Sequence, residues 1–521
     1  MPTLAIDGRE VAVPSGTTIL QAARKLGIEV PTLCYLEGLA PQTSCLVCTV
    51  RLEGNGRLVP SCGMLAEEGM RVDTRSEEVR RARKTALELL LGDHAGDCLA
   101  PCQTICPAQM DIPTMLRRIA AGDFAEAAAT VKEKIALPGV LARICPKPCE
   151  KGCRRAASGG AVSVCLLKGA AADFDLARAS PREPERRPPA GRRVAVVGSG
   201  PAGLAAAYYL GLWGYEVEVF EAETEPGGGL SHPVGEGRLP RAVLDAEIDA
   251  VRRLGVRFRL GTRVGEDISL EELRSEFDAV FLAPGPLDAE GLARLGVSGT
   301  AGRFPANPRT FETPLERVFA GGGILRRGRL AVRSVAEGRA AAVSIDQALR
   351  GLPVAGPEEP FANRLRDLGV DELVELASLA APGPRIEPAR GPVEGFSPEE
   401  ARAEAARCLG CDCRKLADCR LRAYAAEYGA DPSRFRGERR QVEIVRLGGG
   451  IVFEAGKCIS CGLCIQIAER GGERLGLAFV GRGFRMRVAV PFGRSFAEGL
   501  EKTAAACVEA CPTGALSWEA R

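Results

Sequence analysis

Chemistry in this chain is concentrated in its thiols: twenty cysteines stand beside only two histidines. They occupy two outer stretches and are absent between Leu166 and Arg407. Tight Cys-x-x-Cys grouping means disulfide staples in an exported protein and metal ligation in a reducing compartment. The opening MPTLAIDGREVAVPSG alternates like a strand and lacks a charged segment followed by a long apolar run. No export signal is read there, so a cytoplasmic address is expected and the thiols are expected to hold metal.

The spacing gives four groups. Cys34, Cys45, Cys48 and Cys62 combine one close pair with two single cysteines in loop sequence rich in Gly, Pro and Ser. A 2Fe-2S cluster needs four thiolates that also receive backbone hydrogen bonds, which such loops supply; a structural zinc is the alternative. His94, Cys98, Cys102 and Cys106, followed by Cys145, Cys149, Cys153 and Cys165, make eight ligands. Two 4Fe-4S clusters require that number. Two members have other readings: Cys165 as a buried core thiol, and His94 as a helix C-cap residue beside Gly92. Cys408, Cys411, Cys413 and Cys419 crowd into one short segment, enough for one centre, with 4Fe-4S, zinc and no metal all open. Cys458, Cys461 and Cys464 have the bacterial ferredoxin spacing, and Cys511, which precedes Pro512, completes one 4Fe-4S cluster. Cys507 is left spare. The expected inventory is one 2Fe-2S and three to four 4Fe-4S clusters.

The cysteine-free centre carries different chemistry. An apolar strand at Val194 to Val197 runs into Gly198, Gly200 and Gly203, then an apolar helix, then a second strand ending at Glu221. The first two glycines let backbone turn against a pyrophosphate and the third lets the helix pack closely, while the helix N-terminus favours the negative charge. Glu221 is placed to bond a ribose hydroxyl.

These groups need several scaffolds. With 521 residues, 46% apolar and 26% charged, the chain is expected to form ordered domains almost throughout. A formal charge of +2 gives no basic field for nucleic acid or an anionic membrane, and no apolar run is long enough to span a bilayer. Thr3 to Ile6 and Glu10 to Val13 read as strands, with helices at Thr18 to Leu26 and Glu77 to Leu91. Pro181 to Arg193 reads as a solvated linker, and Gly/Pro stretches at Gly351 to Pro360 and Ala381 to Pro398 flank a short helix at Arg364 to Leu379. Expected boundaries are 1–75, 76–180, 190–352, a linker region at 353–398, a four-cysteine helical segment at 399–440, and 441–521.

Several of these stretches resemble known families. The first group, with GTTILQAARKLGIEVPTLCY, resembles the N-terminal 2Fe-2S domain of the large iron-sulfur subunit of respiratory complex I and of iron-only hydrogenases. The last segment, up to CPTGAL, again resembles the complex I subunit. The block from Cys106 through ICPKPCEKGC resembles the helical domain of the glutamate synthase small subunit and of dihydropyrimidine dehydrogenase, which holds two 4Fe-4S clusters. That resemblance implies His94, Cys98, Cys102 and Cys153 on one cluster, and Cys106, Cys145, Cys149 and a residue about a dozen further on, on the other. Two departures stand out: His94 occurs where that family has cysteine, as in the histidine-ligated cluster of complex I, and Lys168 cannot ligate while charged, which leaves Cys165. Imidazole in place of thiolate is expected to raise that cluster's potential.

The centre resembles the flavin domain of the glutamate synthase small subunit, which implies FAD, with Gly322 and Gly323 beside it. The family usually has Asp where Gly323 stands. A nicotinamide-binding domain also sits, in the family, where this chain has only about 30 residues between Gly285 and Phe319, fewer than an ordinary domain needs. The implied architecture is multidomain α/β and α+β: a β-grasp 2Fe-2S ferredoxin, a helical 4Fe-4S domain, a Rossmann-like FAD domain and a C-terminal ferredoxin-like domain. The implied function is an electron-transfer subunit of a soluble multi-subunit oxidoreductase of hydrogenase or formate dehydrogenase type, partnered by an NAD(P)H-binding flavoprotein. The alternatives are a self-contained NAD(P)H-dependent reductase and a cluster-bearing scaffold with a vestigial flavin fold. No catalytic acid, base or nucleophile is expected.

Overall fold

Segments distant in sequence interleave in the computed structural model, which describes residues 1–178, 184–231, 239–297, 304–326, 330–365 and 368–519. Met1–Ala100, Pro360–Leu379 and Gly410–Arg521 form one unit; Pro101–Glu359 and Ala380–Leu409 form the other. The second unit's sequence is thus inserted into the first.

The first unit opens on a hairpin of β1 (Thr3–Ile6) and β2 (Arg9–Ala12). Asp7 and Gly8 turn it with φ of 49° and 75°, the paired positive values that match strand twist in a two-residue turn. Helix α1 (Ile19–Lys25) starts where Thr18 and Gln21 form a reciprocal capping box. Its buried Ile19, Leu20, Ala22 and Ala23 share a core with Leu4, Ile6, Val50 and Val72. With β3 (Thr49–Leu52), β4 (Leu58–Pro60) and β5 (Arg71–Asp73), the sheet runs β2-β1-β5-β3-β4; β1 and β5 are parallel and the other pairs antiparallel. Helix α2 (Glu77–Gly92) follows, capped by Ser76.

The second unit begins with short helices: α3 (Pro101–Ile105), α4 (Ile112–Ala121), α5 (Phe124–Lys132), α6 (Pro138–Ile144), α7 (Pro148–Lys151) and α8 (Val164–Leu176). A buried ion pair, Lys132 Nζ to Asp175 at 2.8 Å, ties α5 to α8. A five-stranded parallel sheet follows, ordered β10 (Val318–Ala320), β9 (Ala279–Leu282), β6 (Arg193–Val197), β7 (Glu216–Phe220) and β8 (Arg257–Arg259). All its pairings are parallel, so both faces need covering. Helix α9 (Pro201–Leu212), buried nearly throughout, lies against α13 (Ala331–Leu349). Further helices are α10 (Arg241–Arg253), α11 (Leu270–Glu276) and α12 (Ala289–Arg294). The helix Pro398–Ala405 returns to this unit, where Arg407 and Glu404 form a fully buried pair at 2.8 Å.

Of the expected linker at Pro181 to Arg193, residues 181–183 lie outside the described ones. The rest is exposed yet tethered: Arg187 and Ala190 donate backbone hydrogen bonds to Leu212 and Gly214, and the Arg187 guanidinium lies over the Trp213 ring. The expected helix at Arg364 to Leu379 is α14 (Val370–Ala377), with residues 366–367 outside the described ones. It belongs to the first unit through Glu372, which accepts from both terminal nitrogens of Arg439 at 2.6 and 2.7 Å. The first unit closes with α15 (Arg420–Glu427), α16 (Leu463–Arg470), α17 (Ala504–Ala510), and a sheet of β11 (Ile444–Gly448), β12 (Ile451–Glu454) and β15 (Leu516–Trp518). The two-stranded ribbon β13 (Ala478–Val480) and β14 (Arg487–Ala489) lies between them in sequence. No helix among the described residues is long and apolar enough to cross a membrane.

Candidate iron-sulfur and dinucleotide sites

None of the twenty cysteines is drawn into a disulfide, and most are buried. In the first unit Cys34, Cys45, Cys48 and Cys62 are each 5% exposed or less. They lie between α1 and β3 and just after β4, in loops where Thr43 and Leu46 adopt positive φ. Cys34 hydrogen-bonds Cys45 and Cys62, which holds its thiol down at about 2, and Cys48 bonds Cys62, which lowers it to about 7. Cys45 and Cys62 are pushed up by the same contacts, with Cys34 the first cause for both. Backbone hydrogen bonds reach Cys34 from Cys45, Cys45 from Val47 and Leu33, and Cys48 from Cys62. Four mutually bonded thiols with backbone donors fit the donor set of a 2Fe-2S cluster.

The C-terminal set is also assembled. Cys458, Cys461, Cys464 and Cys511 line one small cavity with Phe453, Leu463 and Thr513. Gly462, at φ 72°, starts α16 between Cys461 and Cys464, and the Ser460 backbone donates to Cys458 Sγ at 3.4 Å. Burial pushes Cys458 up to about 11 and Cys461 to about 12. Metal binding here would release protons, because thiolates are the ligands. Cys507 sits apart from that cavity and points its sulfur at the Cys464 carbonyl at 3.6 Å.

In the second unit Cys145 and Cys165 are hydrogen-bonded, which pushes Cys145 well up; that bond lowers Cys165 while its bond to Cys149 and burial raise it to about 11. Glu150 supports the approach by accepting from the Cys165 backbone at 3.0 Å. Lys168, one turn along α8 and 3% exposed, stands beside this group. Burial works against its charge, but Cys165, Cys145, Cys149 and Cys106 outweigh it and hold the ammonium above its ordinary value. Cys165 is therefore placed among the expected ligands, and Lys168 supplies a buried charge beside them. Cys102, Cys153 and Cys408 border the same unit's core.

Two expected sets are not gathered within one unit. His94 and Cys98 belong to the first unit, Cys102 and Cys153 to the second; likewise Cys408 falls in the second and Cys411, Cys413 and Cys419 in the first. The helix C-cap is Asp93, not His94. His94 Nδ1 is buried with no hydrogen-bond partner, and burial, then Lys457 and Arg440, push the imidazole down to about 3, so it is neutral, as a ligand must be. Among the described residues no three His, Cys, Asp or Glu surround a point as one metal ion requires. A cubane instead spreads its ligands over four irons.

The dinucleotide cradle is the edge of the parallel sheet. Gly198 takes φ 94° and faces the Ala283 carbonyl; Gly203 faces the Gly198 carbonyl so closely that any Cβ would overlap it. Glu221, 7% exposed, accepts from the Ser199 backbone at 2.8 Å and from its hydroxyl, and from the Glu223 backbone at 3.1 Å. A cavity of about 280 Å³ opens beside it, lined by Gly198, Glu221, Gly228, Arg263, Pro284 and Arg294 among others. That is at the lower end of ordinary ligand pockets and suits one nucleotide half of a dinucleotide. At the other end Gly322 donates to Glu337 at 3.0 Å. A Cβ on Gly323 would stand 2.7 Å from the Pro286 nitrogen, so the Gly285–Pro286 backbone occupies the space an aspartate would need.

Sequence reasoning overlooked two residues that organise the thiols of the first unit. Lys457 is buried and paired with Glu454 at 2.7 Å; Asn363 donates its backbone N–H to Cys98 Sγ at 3.3 Å. Lys457 directly precedes Cys458, which is a signal of a kind. Asn363 lies in a stretch read as linker, and nothing local marks it.

Residues 1–77 match the 2Fe-2S iron-sulfur cluster binding domain, 82–179 the dihydropyrimidine dehydrogenase domain II with its 4Fe-4S cluster, and 196–247 an NAD(P)-binding Rossmann-like domain. The chain is 42% identical over 199 residues to the NADPH-Fe(3+) oxidoreductase subunit beta of Geobacter sulfurreducens, covering 37% of this chain and 30% of that one. It is 38% identical over 227 residues to the NADP(+)-dependent formate dehydrogenase subunit beta of Moorella thermoacetica, covering 38% and 31%. It is 37% identical over 210 residues to the NAD-dependent dihydropyrimidine dehydrogenase subunit PreT of Escherichia coli, covering 39% and 51%. The chain thus spans under a third of the first two relatives and about half of the third. It carries a 2Fe-2S cluster-binding domain, a 4Fe-4S domain of the dihydropyrimidine dehydrogenase type and a Rossmann-like dinucleotide domain, and its relatives are oxidoreductase subunits.

Proposed function

We propose that the chain is an electron-relay subunit of a multi-subunit oxidoreductase of hydrogenase or formate dehydrogenase type, holding FAD, one 2Fe-2S cluster and about four 4Fe-4S clusters. The observation that carries this is the gathering of buried thiols into separate sets, with a glycine cradle and nucleotide-sized cavity in the same chain. The finer architecture belongs to the same proposal: a β-grasp ferredoxin for the sheet β2-β1-β5-β3-β4, and a ferredoxin-like domain around Cys458 to Cys511.

When bound, the clusters supply one-electron steps and the flavin one- or two-electron steps. The chain's own residues set the conditions. Buried apolar walls keep water from the sulfurs, and backbone N–H groups share out their negative charge. Lys168 and Lys457 place a cation inside the low-dielectric interior, which favours the more negative reduced state. In the cradle the N-terminus of α9 receives the pyrophosphate and Glu221 holds the ribose hydroxyl. Gly323 supplies no side chain to the flavin, and its tight packing against Pro286 explains why none is there. The short connection between Gly285 and Phe319 favours entry of hydride equivalents through a partner, an NAD(P)H-binding flavoprotein.

The test is reduction of the anaerobically purified chain. Dithionite should bleach both flavin and cluster bands, and NADH or NADPH alone should leave them oxidised until a flavoprotein partner is added. Rapid bleaching by NADPH alone would favour the self-contained reductase, and intact iron without flavin would favour the scaffold.

A further inference from the structure

Beside the sets just described, the first unit gathers four donors from the two sides of the inserted sequence. The Cys413 backbone donates to the Cys98 carbonyl at 3.2 Å. Cys419 flanks the same Pro512–Gly514 stretch as Cys413: its sulfur meets the Pro512 carbonyl at 3.9 Å, and it receives the Arg422 backbone N–H at 3.5 Å. Lys457 is the common neighbour: its side chain packs on Gly96, between His94 and Cys98, and reaches Gly514 beside Cys413. A Cβ on Gly514 would lie 2.5 Å from Cys413 Sγ and 3.6 Å from Lys457 Cδ, which fixes the thiol against the lysine stem. On the other side, Asn363 holds the His94–Cys98 loop by its side-chain amide, donating to the His94 and Gly96 carbonyls at 3.1 and 2.9 Å, while its backbone donates to Cys98 Sγ at 3.3 Å.

A buried imidazole nitrogen with no partner, in the loop that carries Cys98, and three buried thiols, two of them receiving backbone N–H groups, supply the four donors that one cubane takes. We propose that His94, Cys98, Cys413 and Cys419 ligate a single 4Fe-4S cluster whose ligands come from both ends of the insertion, so that Cys98 pairs with Cys413 and not with Cys102. Cys102, Cys153 and Cys408, which border the core of the second unit, then serve a different centre. Every cysteine except Cys411 and Cys507 thereby has a place. The cluster also staples the first unit closed: the chain leaves it just after Cys98 and re-enters it for the last time just before Cys413, and iron holds those two ends together. This assignment rests on the iron-sulfur reading above.

The experiment is cluster accounting in the full chain, purified without oxygen, for Cys98→Ser, Cys413→Ser, the double variant and His94→Cys. Each single serine variant should lose about four irons and the same electron paramagnetic resonance signal, and the double should lose no more. An imidazole ¹⁴N coupling on that signal should vanish in His94→Cys with iron retained. The 2Fe-2S signal, in the same unit, reports that each variant is folded. The assignment is overturned if Cys98→Ser and Cys413→Ser remove different signals and the double loses about eight irons, or if the ¹⁴N coupling survives in Cys413→Ser. A wild-type chain without iron would overturn the relay reading itself, whereas an iron-replete wild type with separable losses overturns this assignment alone.

Discussion

Replacing Lys168 by methionine separates charge from packing at the Cys106, Cys145, Cys149 and Cys165 set. Lys168 lies on α8, is 3% exposed, and has those four sulfurs as the groups that stabilise its charge. Methionine keeps the length and most of the volume, so the core should lose little. A cation at roughly 7 Å in an effective dielectric near 20 contributes about 2 kcal/mol to holding one added electron. Since a tenfold change in a one-electron equilibrium is about 59 mV, the lost charge corresponds to roughly 80–100 mV. The sign follows from the charge: without the cation the reduced cluster is less favoured and the midpoint falls. The assay is a mediated potentiometric titration followed by electron paramagnetic resonance, with the 2Fe-2S signal as reference. A midpoint within about 20 mV of wild type, or one that rises, with iron content unchanged, would refute the electrostatic role given to Lys168.

Other outcomes follow from the same structure. Gly203→Ala should push α9 off the Gly198 carbonyl, an overpacking cost of about 1–3 kcal/mol that appears as flavin loss on gel filtration with iron retained; full flavin content would contradict the cradle. Cys507→Ser should leave iron, sulfide and every cluster signal unchanged, since Cys507 sits outside the ligand sets; loss of about four irons would place it among them. Glu247 accepts from the Gly139 and Val140 backbone at 2.6 and 3.0 Å, and burial pushes it up to about 7. The unfolded chain ionises it first, so the fold loses stability as pH rises from about 4.5 to about 7 and is level above that. Hydrogen exchange at the start of α6 should show wild type losing about 2–3 kcal/mol relative to Glu247→Gln between pH 5 and 8; parallel pH profiles would contradict it.

What could be read from sequence was local. The βαβ unit with Gly198, Gly200, Gly203 and Glu221 was legible because period, glycine position and acidic terminus all act within one short stretch. The Cys458 to Cys464 spacing was legible for the same reason, and the choice of Cys165 rested on excluding charged Lys168, with Cys165 now standing beside Cys145 and Cys149. What sequence order obscured was partnership: Cys98 and Cys102 are neighbours in the chain but fall in different units, and so do Cys408 and Cys411. Spacing assumes that neighbouring cysteines share a centre, and an insertion between ligands breaks that assumption. Asn363 and Glu372 were hidden for a related reason. Gly- and Pro-rich flanks make Pro360–Leu379 look like a connector, yet its hydrogen bonds to Cys98 and Arg439 make it part of the first unit's interior.

The most direct measurement is the iron, acid-labile sulfide and zinc content of the chain purified without oxygen, with Mössbauer spectroscopy to type the iron. The account predicts about 18 irons and about 18 sulfides per chain, divided between one 2Fe-2S and four 4Fe-4S centres, with negligible zinc. Zinc in place of iron, or cystines between these sulfurs, would contradict it.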